Sequence, residues 1–308
     1  MSLRARSWLA SHTYAHSDFP AERLAAERAQ SVSVCLPARN EAATIGGVLT
    51  PLLELRGAGV IDQVVVVDDS TDRTAAIARH LGAEVFGQDK LMPELGPVLG
   101  KGDAMWRSLA TLTGDVVCFV DADTERFGAH FVCGLLGPLL CGPEEIVFVK
   151  GLYRRPFKLG GVTLPEGGGR VTELTARPLL NLFYPELAAV AQPLAGEIAA
   201  RRDLLERLPF VTGYGVDIAL LIDTYRFAGL DAIAQVDLGE RQNAHQSLRE
   251  LGPMAFSVLR ALASRLQREG RLQGPLPTGF LAPGDSEVGP APEDVVERPP
   301  LVTLRAAA

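Results

Sequence analysis

Cysteine is scarce in this chain, and its spacing matches no metal site. The four cysteines, Cys35, Cys118, Cys133 and Cys141, form no CxxC pair. Two fall inside runs that read as core strands, so neither a zinc site nor a disulfide frame is expected, and a reducing cytoplasm is the expected compartment. Long apolar runs are missing too. None approaches 18 residues, and the N-terminus carries His, Asp and Glu where a signal peptide needs an apolar stretch, so no membrane span is expected. Nor is there an excess of positive charge. A formal net charge of −7 argues against a general binder of nucleic acid or acidic membranes and leaves open a local basic pocket for a small anion. No internal repeat is found. What remains is a globular composition, 47% hydrophobic and 22% charged over 308 residues, with core enough for one large domain or two small ones.

Residues 1–30 are polar and loosely helical and read as an arm packed on the domain or on a partner subunit. Alternation then begins. Strands are expected at Ser33–Leu36, Val64–Val67, Glu84–Phe86 and Val116–Val120, separated by helices opened at Asn40-Glu41, over Thr71–Leu81 and over Asp103–Leu112. Ser70 is the expected N-cap of the second helix and Gly82 its stop. This β-α-β-α-β order predicts a largely parallel sheet with helices on both faces. Beyond Asp123 the order becomes mixed. Helices are expected at Ala129–Leu140, from Val171, and at Arg201–Leu208, Val216–Ala228 and Leu251–Arg268, with strands at Ile146–Lys150 (continuing through Tyr153) and Ile233–Leu238. The segment from Arg271 holds seven of the 21 prolines and reads as a tail or wrapping arm.

The chemistry clusters at strand ends. Asp121-Ala122-Asp123 closes an apolar strand, and two carboxylates there form a hard-oxygen site suited to Mg²⁺ or Mn²⁺. Pro37-Ala38-Arg39-Asn40-Glu41 and Asp68-Asp69-Ser70-Thr71-Asp72 end the first two strands. That puts three polar clusters on one rim. Glu41 and Asp69 can accept from ribose hydroxyls or base N–H groups, and Pro37–Ala38 can flank a base. For each residue, helix capping is an equal alternative. Gly100-Lys101-Gly102 is no Walker A motif, because Leu95 and Gly102 stand where that motif needs Gly and Ser or Thr. Lys101 can still neutralise a diphosphate, or be a solvated loop lysine.

Gly167-Gly168-Gly169-Arg170-Val171-Thr172 offers backbone N–H groups, a forked guanidinium and a hydroxyl to an anion. A flexible loop before a capped helix is the alternative. Asp217, after Gly213-Tyr214-Gly215, either complements a helix dipole or lines a binding wall. His245, in the loop after the strand Ile233–Leu238, is a candidate third metal ligand.

Together these residues resemble a nucleotide-diphospho-sugar transferase of the GT-A fold: PARNE, DDSTD, GKGDAMWRSL and DAD. The second half, with YRRP (153–156), GGGRVTELTARPLL (167–180), QPLAGE (192–197), LPFVTGYGVDIALLIDT (208–224) and LDAIAQVDLG (230–239), resembles the retaining glucosyl- and mannosyl-3-phosphoglycerate synthases. The resemblance implies an α/β GT-A fold, a Rossmann-like, mostly parallel nucleotide half (31–124) joined to a mixed acceptor half (125–270). An N-terminal arm (1–30) and a Pro-rich tail (271–308) would flank it.

The resemblance also implies roles. Asp121 and Asp123 would hold a divalent metal and the donor diphosphate, with His245 as third ligand. Pro37, Ala38, Glu41, Asp69, Lys101 and Ala122 would line the nucleotide-sugar site. Gly169, Arg170 and Thr172 would receive the phosphate or carboxylate of 3-phosphoglycerate. Leu194 and the 196–197 turn would lie near the sugar, and Asp217 would hold its hydroxyls. The chain departs from the glucosyl pattern in carrying Asp217 for Glu, Ala122 for Ser, and Asn243 where the metal histidine aligns.

The function expected is metal-dependent, retaining transfer of a hexose, mannose favoured over glucose, from a nucleotide-diphosphate sugar to the 2-hydroxyl of 3-phosphoglycerate. Distant alternatives are an aspartyl phosphatase, disfavoured by Glu125 at the fifth position of its motif, and a non-catalytic nucleotide-sugar sensor. The terminal arms suggest a homodimer.

Overall fold

The computed structural model describes residues 3–159, 162–164, 167–241, 247–277, 279–280 and 296–305. Its strands are β1 (Thr13–Ala15), β2 (Val32–Ala38), β3 (Gln63–Asp68), β4 (Glu84–Gly87), β5 (Val116–Phe119), β6 (Phe148–Arg154), β7 (Phe157–Leu159), β8 (Val162–Leu164), β9 (Ile198–Arg201), β10 (Phe210–Val211), β11 (Ile233–Glu240) and β12 (Glu297–Arg298). Eight of them form one sheet in the order β1-β11-β6-β9-β5-β2-β3-β4. The runs VSVCLPA, QVVVVD and VVCF are buried almost throughout. They can be apolar without alternating because helices cover both faces. Two apolar clusters divide the core, one on each side of the sheet.

Every neighbouring pair in this sheet is parallel except those made by β9, which runs antiparallel to both β5 and β6. The carboxyl ends of the other strands therefore share one rim, and the residues just before β9 arrive at that same rim. β9 is four residues, Ile-Ala-Ala-Arg. So short and alanine-rich a strand carries almost no sequence signal, which is why the sequence reading does not contain it.

Helix starts differ from expectation for identifiable reasons. The helix expected from Thr71 begins at Thr74. Ser70 does not cap it: its Oγ accepts from the Asn40 N–H at 2.8 Å, while Asp72 Oδ1 accepts from the Thr74 N–H at 2.9 Å. The helix expected from Val171 opens as a π-turn, Thr172–Ala176, before Arg177–Phe183 continues as α-helix. The helix after the glycine-flanked lysine spans Lys101–Ser108.

Both ends pack on their own chain. Ala5 and Trp8 are buried in the core, the Trp8 indole N–H donates to Leu230 O and Ile233 O, and β1 extends the sheet beside β11. At the other end β12 pairs with β10, and Leu301 is buried. The described parts of both arms thus pack within the protomer. No described helix is long and apolar enough to cross a membrane.

Candidate active site

Two cavities open along the rim. The first, about 510 Å³, lies beyond β2, β3 and β5 and is lined by Pro37, Ala38, Glu41, Asp69, Lys101 and Ala122 among others. The second, about 310 Å³, is lined by Gly169, Arg170, Thr172, Leu194 and Asp217, together with Arg155 and Arg241. Lys101, Asp121, Asp123 and Tyr214 line both. The residues expected to hold a nucleotide thus fall in one chamber and those expected to hold an acceptor in the other, with the acid pair between.

The first chamber is shaped by cross-linking of its two loops. The Asn40 N–H donates to Ser70 Oγ, the Glu41 N–H to Thr74 Oγ1 at 2.8 Å, and the Thr71 N–H to Asn40 Oδ1 at 2.9 Å. Asn40 adopts φ 61°, a left-handed conformation that asparagine tolerates, so that this loop can turn back. Ser70, Thr71 and Asp72 serve this scaffold, while Glu41 and Asp69 face the cavity. Burial raises the Glu41 carboxyl above its ordinary pKa.

Charge is densest where the chambers meet. Lys101 Nζ donates to Asp121 Oδ1 at 2.7 Å and lies 3.6 Å from Asp217 Oδ2. Arg241 Nη2 donates at 2.9 Å to both Asp121 Oδ2 and Asp123 Oδ1. Burial opposes the charge on Asp121, but Lys101 and Arg241 more than offset it and hold the carboxyl well below its usual range. Behind Arg241 stands a fully buried carboxylate: Arg241 Nη1 lies 2.9 Å from Glu197 Oε1, and the Tyr153 hydroxyl donates to Glu197 Oε2 at 2.7 Å. Burial raises the Glu197 pKa, partly offset by Arg241, and pushes Tyr153 up to about 12. Asp217 is raised by burial, with Lys101 and Lys150 partly compensating, and its Oδ1 has no hydrogen-bond partner among the described residues.

Close approach at this junction requires glycine at two places. A Cβ on Gly196 would stand 2.5 Å from both Asp121 carboxylate oxygens and closer still to Lys101 Nζ. One on Gly168 would meet Arg155 Cβ at 2.5 Å. The glycine loop is therefore zipped against the end of β6, with the Gly168 N–H donating to Arg155 O at 3.1 Å.

Asp121 and Asp123 converge on a single guanidinium nitrogen, so both carboxylates can grip one positive centre. This donor set fits a divalent cation, although among the described residues no group of three or more His, Cys, Asp and Glu converges. His245 and Asn243, the two candidate third positions, lie outside the described residues. Sequence reasoning missed Arg241, placed Glu197 only as part of a turn near the sugar, and missed Lys150. The signal was available for the last two: each is a lone charge beside or within an apolar strand, which a doubly covered sheet tolerates only when the charge is partnered.

Residues 33–150 match the model for glycosyl transferase family 2. Over 302 residues the chain is 45% identical to the glucosyl-3-phosphoglycerate synthase of Mycolicibacterium smegmatis, spanning 97% of this chain and 98% of that one. The chain belongs to the glucosyl- and mannosyl-3-phosphoglycerate synthase family. It is a glycosyltransferase of GT-A fold. Among solved members, the mannosyl-3-phosphoglycerate synthase of Rubrobacter xylanophilus superposes with a TM-score of 0.87 at 45% identity, covering 97% of this chain and 98% of the other. The glucosyl-3-phosphoglycerate synthase of Mycobacterium tuberculosis, solved with Mn²⁺, UDP-glucose and phosphoglyceric acid, superposes at 0.81 with 42% identity, covering 96% and 99%.

Proposed function

We propose that this chain is a glucosyl-3-phosphoglycerate synthase, transferring glucose from a nucleoside-diphosphate donor, UDP-glucose foremost, to the 2-hydroxyl of 3-phosphoglycerate with retention and with Mg²⁺ or Mn²⁺. The observation that carries the reading is the junction itself: Lys101, Asp121 and Asp123 line both a chamber suited to a nucleoside and a chamber with a glycine loop and Arg170. The donor's nucleoside lies in the first, where Glu41 and Asp69 accept its hydroxyl or base N–H groups beside Pro37, Ala38 and Ala122. Lys101 neutralises the diphosphate. Asp121 and Asp123 hold the metal, which when bound stabilises charge on the departing diphosphate. In the second chamber the Gly169 backbone, Arg170 and Thr172 take an anionic end of the acceptor, and Asp217 accepts from sugar hydroxyls beside Leu194.

The acceptor C2 oxygen forms the new bond to the anomeric carbon as the bond to the diphosphate oxygen breaks. Its proton passes to the departing phosphate on the same face, so the configuration is retained without a covalent enzyme intermediate. The chambers hold the acceptor hydroxyl and the departing phosphate on one face of the anomeric carbon, and this positioning contributes to the rate.

The sequence reading leaned towards mannose because Asp217 replaces Glu. The glucosyl names of the curated relatives support glucose better, and the shorter Asp217 side chain together with the Rubrobacter likeness keeps mannose as the second reading. Purified protein assayed with UDP-glucose, GDP-glucose, GDP-mannose and UDP-mannose against 3-phosphoglycerate decides between them. Fastest release of UDP from UDP-glucose is expected. Turnover with GDP-mannose alone would replace the proposal by the mannosyl reading, and no acceptor-dependent turnover with any donor would sink both.

A further inference from the structure

One buried cation has no part in the chemistry described so far. Lys150, in β6, is fully buried, and its Nζ donates to Ala195 O at 2.9 Å. Ala195 sits in the turn that leads into β9, and everything around that turn holds it still. The Ala195 N–H donates to Gln192 O at 3.0 Å, and the Gly151 N–H, one residue beyond Lys150, donates to Glu197 O at 2.9 Å. On its other side the turn presses so closely against the Lys101–Asp121 pair that a Cβ at position 196 would stand 2.5 Å from both Asp121 oxygens. Leu194 and Asp217 both line the acceptor chamber above.

We propose that Lys150 is a positioning residue for the transfer: its buried ammonium fixes the Ala195 carbonyl and, through it, the Leu194–Gly196 turn that floors the sugar position beside Asp121. The assignment rests on the function proposed above. A backbone carbonyl needs only a neutral donor for satisfaction, and burying an ammonium is expensive unless it is well paired. The charges around Lys150 are Asp217 on the helix Val216–Ala228, Lys101 on the helix Lys101–Ser108, Glu197 before β9 and Asp121 after β5. They do not fully compensate it, and burial draws the lysine down to about 8. Methionine would remove the cost of burying the charge while leaving the Ala195 carbonyl without this donor. An ammonium held at that cost beneath a reaction chamber points to a part in the reaction.

Lys150→Met tests this, with kcat, both KM values, the melting temperature and the pH profile read together. The variant should melt within a few degrees of the wild type, hold UDP and 3-phosphoglycerate within about threefold, and lose about 100-fold or more in kcat, the penalty of a misplaced reacting group. The wild-type kcat should fall as pH rises through about 8, where the amine loses its charge and its charge-assisted hold on the Ala195 carbonyl weakens, and this limb should be missing from the variant's residual activity. A kcat within threefold of wild type, a KM rise that accounts for the whole loss, or a variant melting several degrees lower overturns the positioning role. In the wild type without substrates, the Lys150 ammonium should give an exchange-protected ¹⁵N signal titrating near pH 8; an unprotected signal overturns the buried hydrogen bond whatever the enzyme's substrates are. A wild type inactive with every donor fails the proposed function instead.

Discussion

Gly196→Ala is the most economical perturbation of the junction, since it adds one methyl group and changes no charge. Gly196 does not have positive φ, so alanine is acceptable to the backbone. The new Cβ would nevertheless lie 2.5 Å from each Asp121 oxygen, where ordinary contact begins at 3.4 Å. The Lys101–Asp121 pair must therefore retreat by about 1 Å, from its present 2.7 Å contact. If the whole retreat parts the two groups, at the effective dielectric of about 20 that suits such sites the pair weakens by at most about 1.7 kcal/mol, or roughly 17-fold. Misplacement of the acid that carries the metal and diphosphate adds to this, so a fall of about 20- to 100-fold in kcat is expected. The assay is steady-state release of nucleoside diphosphate at saturating donor and acceptor, with the melting temperature as control. Full activity at unchanged stability would refute the reasoning, because it would mean that the pair can relax at no cost to the chemistry. A melting temperature many degrees lower would also refute it, placing the strain in the fold instead of the junction.

Three further outcomes follow from the site. Asp123→Asn, at a half-exposed position on the rim, should abolish turnover while the melting temperature barely moves, and retained activity in excess EDTA would contradict metal dependence. Arg170→Ala should raise the 3-phosphoglycerate KM by roughly 10- to 150-fold, the equivalent of a charge-assisted contact of about 1.5–3 kcal/mol, and leave the donor KM alone; equal effects on both substrates would reject its acceptor role. Asp217 is raised by burial, so its folded form prefers the proton and its ionisation costs stability as pH rises above the ordinary carboxylate range. Asp217→Asn should thus melt higher than wild type at pH 7, lose that advantage as pH falls towards 4, and still be impaired in turnover; a lower melting temperature at pH 7 would contradict the sign.

Much of this was legible in the sequence because it rests on local rules. β2, β3 and β5 are apolar runs that end in Ala38, Asp68 and the acid pair, and a parallel sheet brings such ends together without further information. The two chambers were likewise legible as two groups of residues. What was illegible depends on partners distant in sequence. Ser70 looks like a helix cap until the neighbouring loop is seen to claim its hydroxyl. Arg241 looks like the start of a histidine loop, since nothing local says that Glu197 and the acid pair will surround it. β9 hides because its antiparallel place is set by the gap between β5 and β6.

The C-terminal strand also has a consequence for how the protein is made. Asp103, on the first turn of the helix that Lys101 begins, is fully buried between two guanidiniums: Arg107 Nε donates at 2.9 Å from the same helix, and Arg298 Nε donates at 2.7 Å from β12, 195 residues further along the chain. Arg298 also donates to Leu95 O and Pro97 O, and the Trp106 indole N–H donates to Pro299 O. Until those residues leave the ribosome, the nucleotide half has its carboxylate half-paired and its lysine-bearing helix without a cover. Contacts of such long sequence separation form late. A nascent chain thus holds the acid pair long before it holds a finished donor chamber, and a message cut short near its 3′ end should yield a protein that keeps the sheet and lacks the catalyst.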